Sequence, residues 1–203
     1  MADWFDIAFT PAITELQERK GSRAMYDHAP GERSASLHLL ADDELQMITT
    51  RDSFYMATVG ETGWPYVQHR GGPSGFMRVL DERTLGFADF SGNRQYVSVG
   101  NLVKDDRVSL FFMDYPSRTR LKLLGRVRLI DRNDSEVLPR LELDDYRARV
   151  EHGMIIEVEA FDWNCPQHIT PRFTEAEIEA RLQQLKNENL ALRAELDSFR
   201  DKS

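Results

Sequence analysis

The run Phe87-Ala-Asp-Phe-Ser-Gly-Asn-Arg-Gln-Tyr96 reads as the end of an apolar strand, a tight polar turn and the first turns of a helix. Into that turn the chain puts a hydroxyl from Ser91, amides from Asn93 and Gln95, and the guanidinium of Arg94. The open end of a helix offers unpaired N–H groups and a partial positive charge, so an anion is its natural guest. An arginine adds a planar, permanently charged fork suited to phosphate. A phosphate cradle is the expectation. A second stretch, Val67-Gln-His-Arg-Gly-Gly72, brings the amide of Gln68, the imidazole of His69 and the guanidinium of Arg70 to a strand end before Gly71. Glycines there let a flat or bulky ligand approach the backbone. A third, Arg118-Thr-Arg-Leu-Lys122, sets Arg118, Arg120 and Lys122 at alternate positions, hence on one side of a strand. The fourth, Trp163-Asn-Cys-Pro-Gln-His-Ile169, is polar and aromatic and carries Gln167 and His168.

Plainer readings compete at each place. Alternating cations equally suit a solvated sheet face. A lone histidine such as His69 or His168 is more often a surface or hydrogen-bonded residue than a catalyst. Cys165 and His168 have the spacing of a nucleophile and base, but no third orienting group accompanies them. The five histidines show no paired metal-ligand spacing, so no metal is expected. The chain lacks GxSxG, the P-loop and GxGxxG, which removes the commonest hydrolase, NTPase and dinucleotide-binding readings.

The elements that must hold these residues are mostly strands. Residues 53–59 form an apolar-rich segment that breaks at Gly60-Glu-Thr-Gly63, a hairpin-type turn, before 64–70. Segments 76–80 and 84–88 flank a polar Asp81-Glu-Arg turn, and 107–113 is a compact apolar strand. Residues 118–130 alternate, with Leu121, Leu123, Val127 and Leu129 on one face and Arg120, Lys122, Arg126 and Arg128 on the other. A last strand covers 154–161. Helices are expected from Thr10-Pro11 to Gly21, over 42–51, after the central turn, and over most of 133–150 in two pieces despite Pro139. About seven short antiparallel strands with few helices indicate a mainly β fold, a small barrel with peripheral helices.

The tail differs. Thr174-Glu-Ala-Glu177 is a capping box. Ile178, Leu182, Leu185, Asn189, Leu192, Leu196 and Phe199 then alternate spacings of four and three, a heptad seam with Asn189 at an a position. The seam suits either a short coiled coil or a helix lying on its own barrel. The chain thus divides into an N-terminal helix and arm (1–40), a barrel (41–172) and a C-terminal helix (173–203).

With 203 residues, 41% hydrophobic and 30% charged, the chain can bury one good core. The formal charge of −8 argues against a nucleic-acid binder. Charge is uneven, however: residues 91–128 hold eight Lys or Arg against three acids. A locally basic centre in an acidic protein suits a small anionic ligand. No apolar run nears the ~20 residues of a membrane span, the start lacks a signal-peptide pattern, and a single cysteine suits the cytoplasm.

The blocks Gly63-Trp-Pro-Tyr-Val-Gln-His-Arg-Gly-Gly-Pro-Ser-Gly-Phe76, Phe87 to Tyr96, Gly100-Asn-Leu102, Phe112-Met-Asp-Tyr-Pro116 and Arg118 to Gly125 resemble the pyridoxamine 5′-phosphate oxidase-like family of FMN-binding split barrels. The resemblance covers about residues 42–170. It implies a cytoplasmic homodimer with FMN at the subunit interface, passing electrons or hydride between a small molecule and a donor such as NAD(P)H. It also implies that Gln68, His69, Arg70 and Gly71 lie along the flavin, that Ser91, Asn93, Arg94 and Gln95 hold the phosphate with help from Arg118 and Arg120, that Asn101 is a further cofactor-binding residue, and that Gln167 and His168 approach the ring edge. An acidic heptad helix stands where enzymes that oxidise pyridoxamine phosphate carry a basic segment closing over the substrate, so that activity itself is not implied. The alternatives are a non-catalytic FMN carrier or redox sensor, and a barrel holding haem or deazaflavin F420.

Overall fold

The computed structural model describes residues 4–26, 39–163 and 166–200. The part of the expected arm at 27–38 and the candidate nucleophile Cys165 lie outside the described residues.

The expected strands form one seven-stranded sheet: β1 (Ser53–Val59), β2 (Pro65–Gly71), β3 (Arg78–Asp81), β4 (Thr84–Phe90), β5 (Arg107–Asp114), β6 (Thr119–Ile130) and β7 (Val150–Trp163). Their order is β2-β1-β5-β6-β7-β4-β3, and every neighbouring pair is antiparallel. The sheet is not closed, so the mainly β fold is a split barrel with β2 and β3 at its two ends.

Alternation along the strands sends one set of side chains into a common core. Phe54 and Met56 of β1, Leu110 and Phe112 of β5, Leu121 and Leu123 of β6, and Met154, Ile156 and Val158 of β7 are all buried there. Phe54 stacks on Phe76 at 5.6 Å and meets Phe87 and Phe112 at 5.4 and 5.2 Å, so one aromatic knot joins three strands and the loop before β3. On β6 the expected faces are present: Leu121, Leu123 and Val127 are buried, while Arg126 and Arg128 are exposed. β4 is buried on both sides from Leu85 to Asp89, which its uninterrupted Leu-Gly-Phe-Ala core anticipates.

Four α-helices accompany the sheet within the first part of the chain: α1 (Trp4–Ala8), α2 (Pro11–Lys20), α3 (Asp42–Thr50) and α4 (Val97–Leu102), with a short α5 (Leu138–Leu141) packing over β4 and β7. α2 begins at Pro11 and ends against Gly21, whose φ of 72° is the left-handed C-terminal stop that glycine accepts without strain. At α3, one Glu44 oxygen accepts the Ala41 N–H at 3.0 Å and the other accepts the Trp163 indole N–H at 2.5 Å. That single carboxylate fastens the helix start to the far end of β7.

Residues 133–150 correct the sequence reading. They contain one helix of four residues instead of two longer pieces. Asp131 captures the Asn133 N–H, and Asp134 captures the N–H groups of Glu136 and Val137, at 2.8, 3.0 and 2.9 Å. Aspartates that bond backbone donors locally compete with a helix ladder, and Pro139 has no N–H to give.

The chain divides into two units. The first runs through Asp114 and resumes over Thr119–Pro166; the second takes the turn Tyr115–Arg118 and everything from Gln167 onward. Within the second unit, the Arg172 guanidinium lies 4.9 Å over the Tyr115 ring, and Thr174 and Glu177 close the capping box that starts α6 (Glu175–Arg200).

Candidate functional site

In β2, the alternation that buries Arg70 and half-buries Gln68 turns His69 outward, where its ring meets Tyr55 of β1 edge-on at 5.6 Å. Ser98, buried at the start of α4, donates to Gln68 Oε1 at 2.7 Å. With its oxygen taken, Gln68 presents an NH2 group as its remaining polar function.

Arg70 is a buried cation of β2. One terminal nitrogen is bound to Asp89 Oδ1 of β4, and its Cζ lies 5.9 Å from the Phe87 ring centre. The other Asp89 oxygen is 3.0 Å from His152 Nε2, a close contact that is not an aligned hydrogen bond. Arg70 Nε is buried and has no acceptor. A buried guanidinium N–H without an acceptor is costly unless a ligand satisfies it.

The polar turn after β4 is knitted to the start of β7. Ser91 Oγ donates to Glu151 Oε1 at 3.0 Å, the Tyr96 hydroxyl donates to the same oxygen at 3.3 Å, and Arg94 Nε donates to the Tyr96 oxygen at 3.2 Å. The hydrogen bond to Tyr96 and the nearby Glu151 charge raise the Arg94 pKa still further above its ordinary value. Asn93 accepts the Gln95 N–H at 3.1 Å, and both Arg94 and Tyr96 adopt left-handed backbone angles, φ 60° and 55°. These turns delay the helix. α4 starts only at Val97 with Tyr96 before it, so the anticipated helix opening directly behind Asn93 is corrected to an irregular loop.

These side chains line a cleft of about 170 Å³ whose walls are Gln68, Arg70, Asp89, Phe90, Gly92, Asn93, Arg94, Tyr96, Ser98, Val99 and Glu151. A Cβ added at Gly92 would meet nothing within 4 Å, so that wall stays open. Two guanidiniums and two carboxylates share the cleft, which leaves it without the net positive charge a phosphate prefers.

Of the residues singled out from sequence, Gln68, Arg70, Asn93 and Arg94 meet here; Ser91 and Gln95 belong to the same loop, and Gly71 ends β2. Asn101 donates to Thr58 Oγ1 at 3.0 Å, beside Gly60 at the β1–β2 turn. Arg118, Gln167 and His168 belong to the second unit, Arg118 and His168 with φ of 57° and 63°. Arg120 stands near the start of β6, its Nε buried without a partner. Its neighbouring alternate cation, Lys122, is paired with Asp162 at 2.7 Å. Asp89, Glu151, Tyr96 and Ser98 were not anticipated. Asp89 alone left a signal, a single carboxylate inside an apolar strand that demands a charged partner. Among the described residues no group of three or more His, Cys, Asp or Glu could hold a metal ion, and no helix is long and apolar enough to cross a membrane.

Comparison with solved structures returns proteins of low sequence similarity. A protein of the pyridoxinephosphate oxidase family from Clostridium acetobutylicum, related to general stress protein 26, is 17% identical over 67% of this chain and 94% of its own, with a TM-score of 0.44. An FMN-binding protein from Syntrophomonas wolfei is 14% identical over 75% of this chain and 97% of its own, with a TM-score of 0.44. An F420 reductase is 16% identical over 58% and 94%, with a TM-score of 0.41. No curated protein matches the sequence. The profile of the family described as pyridoxamine 5′-phosphate oxidase matches residues 41–163, from the start of α3 to the end of β7, and the chain therefore belongs to that family.

Proposed function

We propose that the chain binds FMN at this cleft as a homodimer and uses it for electron or hydride transfer with a small molecule. The observation that carries the reading is Arg70. Its guanidinium is buried, fixed by Asp89 and left with an unsatisfied Nε, and it lines the cleft together with Gln68, whose oxygen is taken by Ser98, in a chain of this family. N–H donors of these two kinds suit the carbonyl and nitrogen edge of an isoalloxazine, and a cation there favours negative charge on the ring. When bound, FMN supplies the redox chemistry. The chain's own residues orient it: Arg70 and Gln68 toward the ring, and Ser91, Asn93, Arg94 and Gln95 toward the phosphate.

Two features support a second copy. The cleft is smaller than the ~300–1,000 Å³ of a typical small-molecule site, and its charges balance. Arg120 does not line it: Leu121 pairs with Trp163 at one end of β7 and Glu151 lies at the other, roughly 40 Å of strand path at about 3.3 Å per residue. The partner's face is in turn suggested by the outer side of β1–β2. There Tyr55, Val59, Trp64 and Val67 are exposed around His69. A contiguous apolar face of that kind marks an interaction surface. Arg118 and Arg120 of a second copy would then supply the missing positive charge.

The first test is optical. Pure protein, or protein titrated with FMN, should show a flavin absorption spectrum with one FMN per chain. Mass spectrometry of the released ligand separates FMN from haem or a deazaflavin, and a preparation that takes up no FMN ends this reading. Rapid reduction by NADPH followed by reoxidation with a defined acceptor would mark an enzyme rather than a carrier.

A further inference from the structure

α6 leaves an apolar stripe in water. Ile178, Leu182, Leu185 and Leu192 are 46, 49, 53 and 64% exposed along a helix of 26 residues. A helix that solvates its leucines on one stripe has a face built for another surface. Leu182, Leu185 and Asn189, with Lys186, Leu190 and Arg193, line a shallow groove on that stripe. Away from it, Gln183 bonds Asn187 at 3.0 Å and Gln184 bonds Glu188 at 3.1 Å, pairs at i and i+4 that stiffen the helix itself.

The occupant can be read from the helix's own register. The alternation of four and three makes Leu182, Asn189 and Leu196 a positions, and Ile178, Leu185, Leu192 and Phe199 d positions. Flanking them are Arg181, Glu188 and Glu195 at g, and Glu179, Lys186, Arg193 and Arg200 at e. In a parallel, in-register pair each g residue faces the e residue of the next heptad on the other helix. Glu188 then meets Arg193, a pair of opposite charges. Arg181 against Lys186 is the one unfavourable pair, confined to the first half. An antiparallel pair sets g against g and e against e. Near its centre that juxtaposes Glu188 and Glu195 with one another, and Lys186 with Arg193.

Asn189 discriminates further. In the parallel register each amide faces its twin and both are satisfied. In an antiparallel pair, or with the register slipped, it faces leucine and is buried unpaired, which is costly. Leucine at a does not by itself select two strands, so Asn189 decides the number. We infer that α6 docks on the α6 of a second copy as a parallel, in-register, two-stranded coiled coil, its register set at Asn189 and flanked by the Glu188–Arg193 charge pair. The pairing goes beyond the flavin reading and needs no ligand. About three heptads are marginal for free helices, so the full chain is the proper subject for the test.

Single cysteines introduced into the full chain on a Cys165→Ala background decide the matter. In a parallel, in-register pair, residues at a and d lie against their own copies. Leu192→Cys and Leu182→Cys should each convert most of the chain to a disulfide-linked dimer on mild oxidation, at least tenfold more than the outward Asn187→Cys. If neither seam cysteine links beyond the Asn187→Cys level, or if Leu192→Cys links only to Asn189→Cys in mixed samples, the inference is overturned. FMN titration of the same samples keeps the two readings apart. Normal FMN uptake without cross-linking removes the coiled coil alone, whereas cross-linking without FMN uptake removes the flavin reading alone.

Discussion

Truncating Arg70 would strand the Asp89 carboxylate, which is 8% exposed, without the guanidinium that faces it. Breaking a buried pair by removing one partner costs about 3–5 kcal/mol, while replacing both partners by apolar groups of similar volume is often neutral. Arg70→Ala should therefore lower stability by about 3–5 kcal/mol in urea unfolding. Arg70→Met combined with Asp89→Leu should regain most of the loss and still fail to take up FMN. Arg94 offers the opposite pattern. Its side chain is exposed, so Arg94→Ala should leave the unfolding midpoint in place and weaken FMN binding. Unchanged FMN affinity would mean that the phosphate is held elsewhere. Asp105 supplies a pH test outside the cleft. Its hydrogen bonds from the Arg107 side chain, then from the Arg107 N–H, lower its pKa from 3.8 to about 2. A carboxylate depressed in the folded state contributes stability that is present above 3.8 and lost as pH falls through about 2. The pair is exposed, so the contribution is small and weakened by salt. Carboxyl-carbon NMR should give a midpoint near 2, and Arg107→Ala should return it toward 3.8.

β6 and β7 hold the longest antiparallel pairing of the sheet, and its register shifts once, between Leu124 and Gly125. A Cβ at Gly125 would lie 2.6 Å from the Glu157 carbonyl oxygen and 2.9 Å from Ile156 Cγ2. Backbone cannot step aside as a side-chain tip can, so Gly125→Ala should cost about 1–3 kcal/mol or more, read as a lower thermal midpoint. Strands were the most legible elements in the sequence. The segment 53–59 carries its own alternation and a Gly-Glu-Thr-Gly stop, and β1 has those bounds. The loop 133–150 was not legible, because side-chain bonds from Asp131 and Asp134 outweigh its helical periodicity. The same misreading hid Glu151 and His152, which sit where that loop enters β7. The cleft was half legible for a related reason. Arg70 and Arg94 advertise anion binding by type, whereas the partnership of Arg70 with Asp89 joins residues on different strands and no local spacing reveals it.

At the scale of the whole molecule, the proposed site spans two chains, and that is testable by mixing. Arg94→Ala and Arg120→Ala homodimers should both bind FMN weakly. Unfolding and refolding the two together should produce hybrids with one undamaged cradle, so that up to about half of the hybrid's sites recover the original affinity. Recovery of none would show that both residues act within one chain. A final consequence follows from Trp64. It is 77% exposed at the end of the β1–β2 hairpin, whereas Trp163 is 38% exposed with its indole N–H held by Glu44, and Trp4 lies under the Lys122 ammonium at 4.5 Å. The three indoles are thus optically unequal, and Trp64 stands on the face proposed for a second subunit. Its fluorescence should shift to the blue as subunits associate and be quenched by energy transfer once a flavin is bound nearby. With Trp64→Phe as the control, dilution and FMN addition can be followed in one cuvette as separate colour and intensity changes.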